Sequence, residues 1–273
     1  MKKILVASDF STCAANAMEY AMHMAKVLKI EVHVIHAIGT TEGVFNNTYN
    51  ALYIEDYYKN KRQALSEWAQ SFSDRTDLND VPVHTVAEVG SVSSVLTKYL
   101  EGNEIELLVM GTMGGTGISS LFGSNTSTMV EKTKTPMLIV PLETKFSMNP
   151  VITLATDFTT DFSAGDISAL NELLEAFSSD RLTVLNVVEG PDWKKNETGE
   201  DKIKKSIKTT RLDFVYIKEA NPIEGIMNFV VSNLTDILCV VKRHHNIVYR
   251  IFNKSTVNQV MNRSIKAILV LHD

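Results

Sequence analysis

The segment Met110-Gly111-Thr112-Met113-Gly114-Gly115-Thr116-Gly117-Ile118-Ser119-Ser120-Leu121-Phe122-Gly123-Ser124-Asn125-Thr126 concentrates the residue types that bind anions. Glycine lets a backbone approach a ligand closely, and Gly123-Ser124-Asn125-Thr126 leads into a short helical pattern. The first turn of a helix offers unpaired N–H groups and the positive end of the helix dipole, which with the hydroxyls suit phosphate oxygens. The chemistry on offer is the binding of a phosphorylated ligand. The plain alternative is that these glycines only make turns in a connection. Near the start of the chain, Asp9 follows an apolar run and precedes Ser11 and Thr12. A carboxylate there can cap a helix, contact a ligand, or do both.

Other reactive types do not assemble into a site. His23, His33, His36 and His84 fall on separate elements with no spacing that names a metal, so core or surface roles are expected of them and no metal is expected. The two cysteines, Cys13 and Cys239, form no Cys-x-x-Cys pair. Cys13 stands near a helix start, where a thiol pKa can be lowered, but no companion base accompanies it. No Ser-His-Asp order, nucleophile elbow or Walker A lysine occurs, which argues against efficient hydrolysis. No catalytic residue is assigned.

The elements that must hold these residues come in two copies. Lys3-Ile4-Leu5-Val6-Ala7-Ser8-Asp9-Phe10-Ser11-Thr12 matches Val151-Ile152-Thr153-Leu154-Ala155-Thr156-Asp157-Phe158-Thr159-Thr160, with Asp9 and Asp157 at a separation of 148. Glu106–Met110 matches Asp236–Val240, and Met137–Val140 matches Ala267–Val270, both at a separation of 130. The second copy has thus lost about 18 residues in its middle, where the first carries Tyr49, Tyr53, Tyr57 and Tyr58.

Within each copy, short apolar runs rich in Val and Ile alternate with helical patterns, the signature of strands covered on both faces of a parallel sheet. Strands are expected near residues 3–8, 31–37, 83–88, 106–110 and 136–140, and again near 151–156, 181–187, 213–217, 236–241 and 266–271. Ser11 or Thr12 is expected to cap a helix with Ala17, Ala21, Met24, Ala25 and Leu28 on its apolar face. Further helices are expected at 51–73, 91–101, 163–177, 222–233 and 255–262. Right-handed crossovers then give two doubly wound sheets, whose ligands bind beyond the carboxyl ends of the strands where the strand order reverses. A polar stretch at Glu143–Asn149, ending in Pro150, separates domains at 1–145 and 149–273.

The glycine segment resembles that of the universal stress protein family, whose nucleotide-binding members carry Gly-x2-Gly-x9-Gly-Ser/Thr after the fourth strand and an Asp after the first. Gly111-Thr112-Met113-Gly114 and Gly123-Ser124 supply both ends, with eight residues rather than nine between Gly114 and Gly123. The resemblance implies two α/β domains in tandem, each Rossmann-like and of the adenine nucleotide alpha hydrolase-like type. It also implies a site for ATP or AMP, with or without Mg²⁺, in the first. By the same resemblance Ala7, Ser8 and Asp9 lie at the adenosine, Ala37 offers a backbone contact to adenine, and Met110 and Gly111 neighbour the ribose. Gly114, Gly123, Ser124, Asn125 and Thr126 would hold phosphates. The family's domains pair through their last strands, so Pro136–Pro141 and Lys266–Leu271 are expected to meet in an internal pseudo-dimer, with a further homodimer open.

The second copy keeps Asp157 but has Val241-Lys242-Arg243-His244-His245-Asn246 where the glycine loop begins, so it is read as a degenerate partner without a nucleotide site. Lys242, Arg243, His244, His245 and Arg250 form a basic run that is read as solvated surface. A net charge of −5 excludes polyanion binding as a main function, so no nucleic acid partner is expected. No run approaches the length that spans a bilayer, and Ser8-Asp9 cuts the first apolar run too short for a signal peptide. A cytoplasmic nucleotide-binding regulatory module, at most a slow ATPase, is the leading expectation. The alternative is a scaffold of the same family that binds no nucleotide. An adenylating ligase is a third reading, and it lacks recognisable acid and base residues.

Overall fold

The computed structural model describes residues 2–40, 51–112, 124–158, 167–188, 193–209, 211–242 and 266–272. The first half runs β1 (Lys3–Ala7), α1 (Thr12–Leu28), β2 (Glu31–Ile38), α2 (Ala51–Ser73), β3 (Val83–Val89), α3 (Val92–Gly102), β4 (Leu107–Thr112), α4 (Ser124–Lys132) and β5 (Met137–Pro141). The second runs β6 (Ile152–Ala155), α5 (Ser168–Ala176), β7 (Arg181–Val188), α6 (Glu197–Ser206), β8 (Arg211–Lys218), α7 (Pro222–Ser232), β9 (Ile237–Lys242) and β10 (Ala267–His272).

Every expected strand is present with its ends shifted by at most two residues, because continuous Val/Ile/Leu runs have nowhere else to bury both faces. The helix expected at 255–262 and residues 163–166 of the one expected at 163–177 lie outside the described residues. Helix α6 escaped the sequence reading because it is mostly polar. Its terminal signals are nevertheless plain: Asn196 caps it by accepting from the Gly199 N–H, Glu197 and Glu200 sit in the first turn, and Lys204 and Lys205 in the last. It occupies the place of α2, with 10 residues against 23, which accounts for most of the chain lost from the second copy.

The ten strands form one sheet in the order β3-β2-β1-β4-β5-β10-β9-β6-β7-β8. All neighbours are parallel except β5 and β10, which are antiparallel, with Leu269 opposite Leu138, Ile268 opposite Ile139 and Val270 opposite Met137. Both strands are wholly buried. Alternation along the strands sends Ile4 and Val6 to a core under α1, α2, α5 and α6, and Leu5 to a second core under α3, α4 and α7. Each core runs through both halves. The outermost strands β3 and β8 are the least buried and carry His84, Glu88, Arg211, Asp213 and Lys218, charges and polar groups that discourage edge pairing.

Helix α1 starts where Ser11 Oγ accepts from the Ala14 N–H at 3.2 Å, and it ends at Lys29 in the left-handed conformation (φ 57°). The stretch between the halves joins the core: the Phe146 ring meets Tyr20 at 5.3 Å, His23 at 5.5 Å and Phe177 at 5.8 Å. It is polar by composition, yet its one aromatic side chain wedges between α1 and the residue that ends α5.

Leu138 and Leu269 oppose one another across the β5–β10 seam and are both fully buried. Replacing either with Ala is expected to cost about 2–5 kcal/mol in urea denaturation. A double-mutant cycle is expected to show a coupling of about 0.5–3 kcal/mol, which independent units would lack.

Candidate functional site

Strand order reverses between β1 and β4, since β2 and β3 continue on one side of β1 while β5 lies beyond β4. This is the switch point where a doubly wound sheet opens a crevice. Ala7 and Met110 are register partners there, at the carboxyl ends of β1 and β4. Ala7 and Ala37 pack beside the core that holds Met110 and, from α4, Met129, so all face the same side of the sheet. Two alanines at strand ends leave more room than any other residue with a Cβ.

The turn after β1 is tightly specified. Ser8 is buried, and its hydroxyl accepts from the Phe10 N–H at 3.2 Å; Asp9 is exposed, and its Oδ1 accepts from the Ser11 N–H at 3.0 Å. Phe10 adopts a left-handed φ of 63°. From β2, the His36 Nδ1–H donates to the Ser8 carbonyl at 2.8 Å. The second copy repeats this construction. Thr156 Oγ1 accepts from the Phe158 N–H at 3.0 Å, Phe158 has φ 58°, and Asn186 Nδ2–H donates to the Thr156 carbonyl at 2.7 Å. Nδ1 of histidine and Nδ2 of asparagine sit at the same distance along their side chains, so the two residues do one job. Neither His36 nor Asn186 was legible as a turn anchor, because that role depends on the register of the second strand against the first.

Gly111 has a packing role. A Cβ there would lie 2.3 Å from the Cys13 carbonyl oxygen and 3.0 Å from the Ala14 nitrogen, so its lack of a side chain is what lets the first turn of α1 lie on β4. Cys13 is buried by that approach, and burial pushes its thiol up, against the lowering that a helix start offers. Gly114 and Gly123 lie outside the described residues.

Ser124, Asn125 and Thr126 form the first turn of α4. Ser124 and Asn125 are exposed and no acidic side chain occupies that turn, so no carboxylate within it opposes an anion at the positive end of the helix. Thr126 is buried, so only its backbone can take part. At the other end of α4, Lys242 Nζ donates to the Glu131 carbonyl at 2.8 Å and the His272 Nε2–H donates to the Val130 carbonyl at 3.3 Å. Lys242 is therefore engaged as a cap on a helix C-terminus, where a cation opposes the dipole, and is not part of a solvated run. Burial pulls its ammonium down while the Glu131 carboxylate pulls it up. Arg243, His244, His245 and Arg250 lie outside the described residues.

Away from this crevice, His33 and His84 are brought side by side with Glu31 by the pairing of β2 and β3, an association the separate elements concealed. The hydrogen bond with His33 holds the Glu31 carboxyl below its ordinary range.

The chain matches the universal stress protein family model over residues 1–141, more than half its length, and belongs to that family. A universal stress protein of Methanocaldococcus jannaschii is 26% identical over 152 residues, spanning 51% of this chain and 94% of its own. One from Bacillus subtilis is 26% identical over 145 residues, spanning 50% and 97%. The crystal structure of a universal stress protein from Archaeoglobus fulgidus aligns with 98% of this chain and 97% of its own at a TM-score of 0.72 and 15% identity, a likeness of fold over both halves. Strands β6–β10 with their helices make a second unit of the same kind, so the arrangement is tandem. No helix among the described residues is long and apolar enough to cross a membrane.

Substitutions at two positions separate the structural roles. Gly111→Ala is expected to destabilise by about 1–3 kcal/mol in urea, since the clash is with backbone that no rotamer can clear. His36→Asn is expected to be tolerated, whereas His36→Leu, which leaves the Ser8 carbonyl without its donor, is expected to cost about 1–3 kcal/mol in thermal or urea unfolding.

Proposed function

We propose that this protein is a cytoplasmic adenine-nucleotide-binding regulatory module, with one site in its first half. The observation that supports this reading is that β4, which borders the switch point with β1, ends at Thr112 and α4 begins at Ser124, the two elements that the glycine segment joins along the sequence. The residues present fit such a ligand: alanines at the strand ends leave room, and the first turn of α4 is free of acidic side chains.

In this reading Ala7, Ala37 and Met110 receive the adenosine, with Ser8 and Gly111 shaping the walls and Asp9 offering a carboxylate to hydroxyls. Gly114 and Gly123 admit the phosphates to the backbone. Ser124 and Asn125 add side-chain contacts, and Thr126 its N–H. The ligand is ATP or AMP, and Mg²⁺, where present, would neutralise phosphate charge. The first half holds and orients; the sequence supplies no group for rapid hydrolysis. The second half, with Lys242 spent on α4, supports the first as an internal pairing partner and binds no nucleotide of its own.

The one-residue-shorter span between Gly114 and Gly123 favours a second reading, a scaffold that binds no nucleotide. Calorimetric titration with ATP and Mg²⁺ separates them. One equivalent per chain is expected; none supports the scaffold, and two would show that the second half also binds. Gly114→Val is expected to abolish binding with the fold intact. Ser124→Ala is expected to weaken it about two- to 150-fold, the span for one lost hydrogen bond of about 0.5–3 kcal/mol, larger the more charge its partner carries.

A further inference from the structure

At the amino end of β2, opposite the candidate crevice, three side chains with metal-ligating atoms converge. Glu31 and His33 are two apart on one strand and so share a face, and His84 of β3 is the register partner of His33. The two imidazole centroids are 5.1 Å apart. Glu31 spans them: Oε1 lies 3.1 Å from His33 Nε2, and Oε2 lies 3.5 Å from His84 Nε2. One ligand atom from each of the three residues lies within 4.8 Å of the others. Behind them the Tyr99 hydroxyl of α3 is 2.6 Å from His33 Nδ1.

The two carboxylate–imidazole separations are close to those of a coordination sphere, and the pair of imidazoles would need to draw together. Donors held about 2.0–2.2 Å from a tetrahedral ion lie about 3.3–3.6 Å from one another, so small side-chain adjustments would admit one. We propose that Glu31, His33 and His84 form a site for a divalent transition-metal ion, zinc being the best match. Two imidazoles and one carboxylate suit zinc and its neighbours in the first row, while calcium and magnesium call for a shell of oxygens. His33 is buried, Glu31 half-buried and His84 exposed, so the fourth position opens to water. With the ion on Nε2, His33 carries its proton on Nδ1 and donates it to the Tyr99 oxygen. Tyr99 is then a positioning residue that fixes the ring and its tautomer.

The site differs in place and purpose from any ion that accompanies a nucleotide. His33 stands four residues before Ala37 in the same strand, about 13 Å away at the usual rise, and the inference does not depend on the nucleotide reading. β3 is the outermost strand of the first half, so an ion here ties the sheet edge to its neighbour. The Lys3 ammonium, 3.6 Å from Glu31 Oε1, competes with the ion for the carboxylate; at 30% side-chain exposure it has a route to solvent when the ion binds.

The test uses the full-length, tag-free chain stripped with a chelator, then titrated with Zn²⁺ against a chromophoric chelator. One equivalent is expected, with a rise in the unfolding temperature, because an ion that binds only the folded state stabilises it. His84→Ala and Glu31→Gln are each expected to weaken zinc at least tenfold and to remove the thermal shift. The exposure of His84 lets its variant fold, and circular dichroism of the metal-free proteins checks both. Tyr99→Phe is expected to lower affinity about tenfold, the lower end for loss of an outer partner. The double variant His244→Ala, His245→Ala is expected to bind as the parent does. No zinc bound by the parent, or binding that His84→Ala and Glu31→Gln leave unchanged, overturns the assignment.

Discussion

The antiparallel hydrogen bonding of β5 to β10 is the constraint on which the rest of the molecule hangs. Each half by itself would end its sheet in a fully apolar strand, an open edge that invites aggregation. Joining the two edges removes that hazard and makes one ten-stranded sheet with continuous cores on both faces. Phe146 ties the same union from outside the sheet, between Tyr20 of α1 and Phe177 at the end of α5.

That union also gives the second half a task in the first. Lys242 ends β9 and His272 ends β10, and both reach the carbonyls at the C-terminus of α4. The other end of α4 is the turn of Ser124, Asn125 and Thr126. A cation at one pole of a helix dipole and an anion at the other are stabilising in the same sense. Loss of glycine from the second copy is thus matched by a gain: Lys242 stands one position past Val241, the counterpart of Gly111, and serves the neighbouring unit.

Glycine in the first half answers two different needs. At Gly111 the demand comes from the protein itself, since the start of α1 lies where a side chain would be. At Gly114 and Gly123 the demand we propose comes from phosphate. A motif read from spacing alone merges the two, although only substitutions of the second kind should touch binding without touching stability.

The sequence by itself determined the duplication, the ten strands, the class of fold and the strands, first and fourth, whose carboxyl ends border the switch point. It could do so because continuous apolar runs, helix caps and glycine act locally and leave a periodic trace. Tertiary structure decided which residues meet across elements. His36 and Asn186 hold equivalent turns, Lys242 caps a helix of the other half, and Glu31 and His33 find His84, each through strand register or the β5–β10 seam. Helix α6 lies between these cases: its caps and charges were written in the sequence, but its weak apolar stripe hid it. Register and seam are set by the packing of whole faces, a sum over many residues that no single residue's neighbours along the chain record.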